Sequence, residues 1–170
     1  MTPEFSRPVR LDTLGDAPRT IAIEANEAER TALAARFGLI ALEALTAEAA
    51  VSRMGETVRA TGRVQARLVQ ACIASGEPLP AEIDEPFDLR FVPEVEAAPD
   101  AEIELDEAAL DEIPYANGAV DLGEAAAETL GLSIDPFPRG PNAEAALREA
   151  GVQSEADMSP FAKLKGLFGQ

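Results

Sequence analysis

Polar and apolar residues alternate along much of the first half of the chain, which is the pattern of strands whose two faces meet different surroundings. Residues 7–25 are predicted to form two extended segments, separated by the turn-forming residues Gly15, Asp16 and Pro18. Three longer strands are predicted next, at about 43–53, 57–72 and 79–92, joined by turns at Gly55 and at residues 76–78. The pattern therefore predicts an antiparallel meander.

The last of these strands has a recognisable core face. Large apolar side chains recur there at odd positions, and successive strand residues point to opposite faces; they are Ile83, Phe87, Leu89 and Phe91. Pro80 and Pro86 predict that the strand lies at an edge of the sheet, because proline has no N–H to donate to a ladder.

Helical spacing appears between the second extended segment and the meander. Asn26 and Glu29 have the spacing of a capping box, and Gly38 suits the left-handed position after the last turn. We expect this helix to pack on the sheet through Leu33 and Phe37.

A second helix is predicted to begin after Asp121, with Glu124 again at capping-box spacing. Its apolar positions form one stripe at helical spacing, made of Leu122, Ala125, Ala126, Thr129 and Leu130. After the prolines of residues 135–141, residues 142–150 are predicted to form a weak helix that ends at Gly151.

Acidic residues separate the meander from the second helix. No Lys or Arg occurs in residues 91–138, whereas nine Asp and Glu occur in residues 94–112. Such a run of like charge resists compaction and is typical of a mobile segment.

The predicted fold is α+β: an antiparallel meander able to curl toward a barrel, two packed helices, and a flexible acidic C-terminal region that ends in a short helix. We expect residues 1–134 to form the domain, with a mobile acidic insertion at 94–112. Residues 135–170 are expected to be a flexible tail with a terminal helix at 159–168.

Charge limits the partners of this chain. The net charge of -17 disfavours non-specific binding to nucleic acid or anionic membranes and favours a basic partner. No leader pattern or membrane-spanning apolar run is found, so we expect a cytoplasmic protein. A single Cys and no His exclude the usual zinc ligands, so neither a metal nor a cofactor is expected.

The last twelve residues, SPFAKLKGLFGQ, contain the only two lysines of the chain. Ser159 and Pro160 suit a helix start, and the predicted partner-binding residues that follow are Phe161, Lys163, Leu164, Lys165, Leu167 and Phe168. A helix this short needs a surface to pack on. That surface is either its own domain or the groove of a partner; the distance from the core and the polar spacer favour the partner.

A second feature is a ribbon of arginines in the middle strand. Arg59, Arg63 and Arg67 share one strand face, at a spacing that suits RNA phosphates. Pairing with acidic residues on a neighbouring strand is the more ordinary use of such arginines, and we favour it over RNA binding.

Catalytic chemistry has little support. Cys72 is the only thiol, and no His is present to activate it, so a small buried residue at a strand end is the favoured interpretation. The carboxylates form no recognisable acid–base pair, and no glycine-rich phosphate loop occurs. We expect neither enzymatic activity nor a small-molecule substrate.

Four segments together resemble the YceD family of large-ribosomal-RNA-subunit accumulation proteins, in particular its alphaproteobacterial members. They are SRPVRLDTL, ACIASGEPLPAEIDEPFDLRFVP, AVDLGEAAAETLGLSIDPFPR and SPFAKLKGL. The resemblance implies a non-catalytic factor in ribosome biogenesis that supports the level of large-subunit ribosomal RNA. The partner is then that RNA or a basic ribosomal protein. An acidic chaperone for one basic protein, without RNA contact, is the alternative.

One position departs from this resemblance. Many members have a segment that resembles CxxCG(K/E)P at the second turn of the meander, and its paired thiols favour metal binding. Here Cys72 is followed by Ser75, so a metal site does not carry over to this chain.

Overall fold

The computed structural model of the chain describes residues 3–94 and 112–152. They divide into two compact units: residues 3–69 with 80–94 and 112–134, and residues 70–79 with 135–152. The predicted acidic insertion at 94–112 lies outside the described residues except for its two end residues, 94 and 112. The predicted terminal helix at 159–168 lies wholly outside them.

The strands are β1 Pro8–Arg10, β2 Arg19–Glu24, β3 Ala41–Met54, β4 Thr57–Ala71, β5 Pro78–Pro93, β6 Glu112–Tyr115 and β7 Ala119–Asp121. The helices are α1 Glu27–Phe37, α2 Leu122–Ser133 and α3 Ala143–Glu149, with a short 3-10 helix at Leu11–Thr13.

The first unit contains a five-stranded sheet in the order β2-β3-β4-β5-β6 and a two-stranded sheet of β1 with β7. The β2/β3 and β3/β4 pairs are antiparallel, whereas β5 and β6 are parallel. The α+β class and the antiparallel meander are therefore confirmed. The predicted curl toward a barrel is wrong: among the described strands, β2 and β6 stand at opposite ends of the strand order and do not pair.

One face of this sheet forms the core with α1 and α2. Alternate residues of β3 and β4 are buried, and Leu33 and Leu130 supply fully buried helix positions. The predicted core face of β5 is confirmed: Phe87 and Phe91 are buried, while Ile83 and Leu89 are partly buried against the core.

The prolines of β5 lie in a part of the strand with limited pairing. β5 is not the edge strand that they predict, since β6 lies beyond it in the strand order. However, β6 pairs only with residues 90–93, so Pro80 and Pro86 lie outside that parallel ladder. A missing N–H is harmless where no neighbouring strand needs it.

The ends of α1 follow the predicted chemistry. The side chain of Asn26 accepts from the Glu29 N–H, and the Glu29 carboxylate accepts from the Asn26 N–H, which completes the capping box. Gly38 ends the helix in the left-handed region, at φ 65°.

The start of α2 holds the N-terminal segment in place. The Asp121 carboxylate caps the N–H groups of Gly123 and Glu124, and it also accepts from the Ser6 hydroxyl at 2.5 Å and the Arg7 N–H at 2.7 Å. A Cβ at Gly123 would lie 2.6 Å from the Phe5 carbonyl oxygen. Glycine is therefore required for residues 5–7 to pass so close to the helix.

Strands β6 and β7 are not among the predicted elements. Both are short, and Asn117 and Gly118 join them with positive φ values of 59° and 67°. The Asn-Gly dipeptide is a strong hairpin signal, but β6 pairs with β5 and β7 with β1. The turn therefore connects two sheets instead of closing one hairpin.

The second unit joins the turn after β4 to the segment that leads into α3. The Ile73 N–H donates to the Pro138 carbonyl at 3.0 Å, and the Asn142 amide donates to the Glu77 carboxylate at 3.1 Å. Across residues 3–94 and 112–152, no helix is both long and apolar enough to cross a membrane.

Candidate functional site

The three arginines of the predicted ribbon lie on the outer face of β4, opposite the face that is buried in the core. Arg59, Arg63 and Arg67 are all exposed, and they alternate with the buried Ala60, Val64 and other inward positions. The face that the strand parity predicts for them is therefore the one observed.

Two of these arginines are paired with aspartates of β5. The Arg59 guanidinium donates to Asp88 at 2.8 Å through Nε, and Thr61 donates to the same carboxylate at 3.1 Å. The Arg63 Nε donates to Asp84 at 2.7 Å. Arg67 lies opposite Ala44 of β3, and no ion pair to it is found in the described part of the chain.

These pairs stabilise the charged form of each partner. Hydrogen bonding to Arg59 lowers the pKa of Asp88, and hydrogen bonding to Arg63 lowers the pKa of Asp84. The pairs are exposed, so solvent screens them and each contributes little to stability. Binding of phosphate by Arg59 or Arg63 would compete with the aspartate already bound.

A shallow groove of about 670 Å³ crosses the outer face of β2, β3 and β4. Three rows of directly opposite residues form its floor, and most of their side chains are small. The rows are Thr20, Ala50 and Thr61; Ala22, Glu48 and Arg63; and Glu24, Thr46 and Gln65. Glu24 and Glu48 are not among the site residues predicted from the sequence, although the alternation in β2 and β3 places both on the solvent face.

The thiol of Cys72 lies in the second unit and is 2% exposed. It accepts hydrogen bonds from the Gly140 N–H at 3.4 Å and the Ser75 N–H at 3.5 Å. These donors, with Gly140 as the largest contributor, lower the pKa of the thiol to about 6. A thiolate is a potential nucleophile, but so little exposure leaves no room for a substrate to reach the sulfur.

The neighbourhood of Cys72 is held by polar contacts. Ser75 occupies the position of the second Cys in the CxxCG(K/E)P pattern. Its hydroxyl donates to the Glu77 carboxylate at 3.1 Å. Over residues 3–94 and 112–152, no group of three or more Cys, His, Asp or Glu residues is arranged to hold a metal ion.

The predicted partner-binding residues of the terminal segment, Phe161, Lys163, Leu164, Lys165, Leu167 and Phe168, lie outside the described residues. Their role stays a prediction.

Comparison with known proteins gives a match to a family model. Residues 60–168 match the family model described as "Large ribosomal RNA subunit accumulation protein YceD". No curated protein and no solved structure matches the chain. The match includes three of the four resembling segments, while SRPVRLDTL precedes it; the alphaproteobacterial type stays a prediction. Because the match extends over more than half of the 170 residues, the chain belongs to the YceD family.

Proposed function

We propose that this protein is a non-catalytic, cytoplasmic factor in ribosome biogenesis that supports the accumulation of large-subunit ribosomal RNA. The observation that carries the proposal is the family match over residues 60–168. It covers β4 from Ala60 onward, β5, α2 and the terminal segment. Arg63, Arg67 and the predicted partner-binding residues therefore lie within it, and Arg59 directly precedes it.

A binding role fits the chemistry of the chain better than a catalytic one. The single thiol is buried, and no His is present to serve as its base. Arg59 and Arg63 are engaged with aspartates in an exposed surface of mixed charge. Such a surface suits reversible recognition of another macromolecule.

The balance of charge favours a basic ribosomal protein as the direct partner. A chain of net charge -17 attracts Lys-rich and Arg-rich proteins and repels RNA at long range. The two aspartates would have to be displaced before Arg59 and Arg63 could contact phosphate. RNA accumulation would then follow from delivery or protection of a ribosomal protein.

The terminal segment is proposed as a second contact. Its apolar side chains can supply anchors for a groove, while Lys163 and Lys165 add positive charge in an otherwise acidic chain. The family match reaches residue 168 and so includes these residues.

Complementation tests the function and the contact of the terminal segment together. In cells depleted of this factor, the full chain should restore the ratio of large-subunit to small-subunit ribosomal RNA. Deletion of residues 158–170 should reduce that restoration, as should Lys163→Glu with Lys165→Glu. The matched control, Lys163→Arg with Lys165→Arg, keeps the charge and should restore the ratio fully.

Affinity purification of the full chain, followed by identification of the bound RNA and protein, distinguishes between the possible partners. Recovery of a basic ribosomal protein after nuclease treatment supports the proposal. Recovery of RNA alone, with binding that falls steeply as salt rises, would make phosphate contact the direct interaction instead. A basic protein unrelated to the ribosome, with unchanged ribosomal RNA on depletion, would favour the chaperone alternative.

A further inference from the structure

Strand β2 forms one edge of the five-stranded sheet. Its only strand neighbour among the described residues is β3. The Ala25 N–H donates to the Leu45 carbonyl at 3.0 Å, and bonded pairs alternate along an antiparallel ladder. The alternation therefore directs the backbone groups of Thr20, Ala22 and Glu24 away from β3, toward the open edge.

Among the residues that the structure describes, none gives the middle of this edge the usual protection. Natural edge strands are commonly shielded by Pro, Lys or a bulge, which prevent pairing with other chains. At one end of β2 the Arg7 guanidinium donates to the Glu24 carbonyl at 2.9 Å. Thr20 and Ala22 are exposed, and no hydrogen bond to their outward backbone groups is found within residues 3–94 and 112–152.

The side chains beside this edge have a clear two-sided character. Ile21 and Ile23 point inward and are partly buried against the core. Thr20, Ala22 and Glu24 point outward onto the groove, where Glu48 of β3 lies directly opposite Ala22. An added strand would therefore meet apolar neighbours on one face and carboxylates on the other.

We propose that the β2 edge binds an extended segment of a basic protein by strand addition. The segment alternates apolar residues, which pack beside Ile21 and Ile23, with Lys or Arg residues, which face Glu24 and Glu48. The six residues of β2 offer about 20 Å of edge, at roughly 3.4 Å per residue. This inference rests on the protein partner in the proposed function and identifies where that partner docks.

Charge selects this occupant over a second copy of the chain. Two copies would each bring a net charge of -17 to the contact, whereas a basic segment is attracted to it. The carboxylates of Glu24 and Glu48 likewise disfavour RNA at this face.

The test uses the full chain and a fluorescent peptide of alternating Lys and Val. One control peptide alternates Glu and Val, and a second alternates Lys and Pro, which keeps the charge but cannot pair as a strand. Ala22→Pro removes one outward N–H, and Ala22→Thr, the matched control, keeps that N–H. Melting temperatures of both variants confirm that they are folded.

We expect the Lys/Val peptide to bind and neither the Glu/Val nor the Lys/Pro peptide to bind. Ala22→Pro should weaken that binding at least about tenfold, since it removes a ladder hydrogen bond and adds ring bulk at the edge. Ala22→Thr should bind like the wild type, and Glu24→Gln with Glu48→Gln should weaken binding several-fold and reduce its dependence on salt.

Equal binding by Ala22→Pro and the wild type would overturn the proposal, as would equal binding of the Lys/Val and Lys/Pro peptides. Sedimentation could instead show a dimer that Ala22→Pro disrupts, or the chain could bind RNA in a way that Ala22→Pro abolishes. Either result would assign the edge to another occupant and would also overturn the proposal.

Complementation separates failure here from failure of the proposed function. If the full chain restores ribosomal RNA and Ala22→Pro does so equally, the edge is not the functional contact, while the proposed function stands. If depletion leaves ribosomal RNA unchanged, the proposed function fails whatever the peptide results are.

Discussion

Cys72 shows how neighbouring hydrogen-bond donors change the chemistry of one side chain. Hydrogen bonds from Gly140 and Ser75 lower the thiol pKa from 9.0 to about 6. Because the folded-state pKa is depressed, the stability that the thiolate contributes is fully present above pH 9.0 and is lost as pH falls through about 6. We therefore predict that the melting-temperature advantage of the wild type over Cys72→Ser grows as pH rises between these values.

Thiolate absorbance in the ultraviolet provides a direct check, because the chain contains a single Cys. The titration midpoint should lie near pH 6 in the folded protein and should move to the ordinary range in denaturant. Cys72→Ser should show no such transition. A folded-state midpoint at the ordinary thiol value would contradict the hydrogen-bonded environment.

Strand parity predicts which face each arginine occupies, but it does not predict which acid lies beside it. The outer-face position of Arg59 and Arg63 follows from alternation within β4 alone. Their pairing with Asp88 and Asp84 depends on the register between β4 and β5, which the long turn region between the strands leaves open. The same limit applies to the groove, whose residues come from three strands.

At the scale of elements, local signals predict the helix ends and the long strands well. The capping residue of α1, the glycine that ends it and the cap of α2 act within a few residues, so the sequence displays them directly. β6 and β7 depend on partners far along the chain, and strands of four and three residues are too short for periodicity to reveal.

The contacts of Asp121 join two elements, and their loss should be felt in both. Asp121→Ala removes the cap of α2 together with the acceptor for Ser6 and the Arg7 N–H. We predict that it lowers the free energy of unfolding by about 2 kcal/mol, the upper end of the usual range for a helix cap. Denaturant-induced unfolding measures this change.

Asp12→Ala is the matched control, since Asp12 is an exposed aspartate whose ion pair, in the described part of the chain, is with the nearby Arg10. It should change the free energy of unfolding by no more than about 0.5 kcal/mol. Amide exchange should also become faster in β1 in Asp121→Ala. Equal effects of the two variants would show that the N-terminal segment is held by packing alone.

At the scale of the whole molecule, the dominant property is an excess of negative charge. The 31 Asp and Glu outnumber the 14 Lys and Arg, so the acidic residues cannot be matched one to one by cations. Uncompensated charge of one sign keeps a protein soluble but opposes its compact state. This repulsion is the energetic counterpart of the attraction that we propose for a basic partner.

Salt should therefore stabilise the free protein while weakening its complex. Added NaCl shortens the screening length from about 30 Å at 0.01 M to about 8 Å at 0.15 M, so we predict that the melting temperature rises over this range. Neutralising four exposed carboxylates of the sheet, with Glu24, Glu43, Glu48 and Glu82 each changed to Gln, should raise the melting temperature at low salt and reduce its salt dependence.

A melting temperature that falls with salt would mean that pairs such as Arg7 with Glu29, at 2.7 Å, outweigh the repulsion. In that case the anionic surface would be locally compensated, and charge would no longer favour a basic protein over RNA.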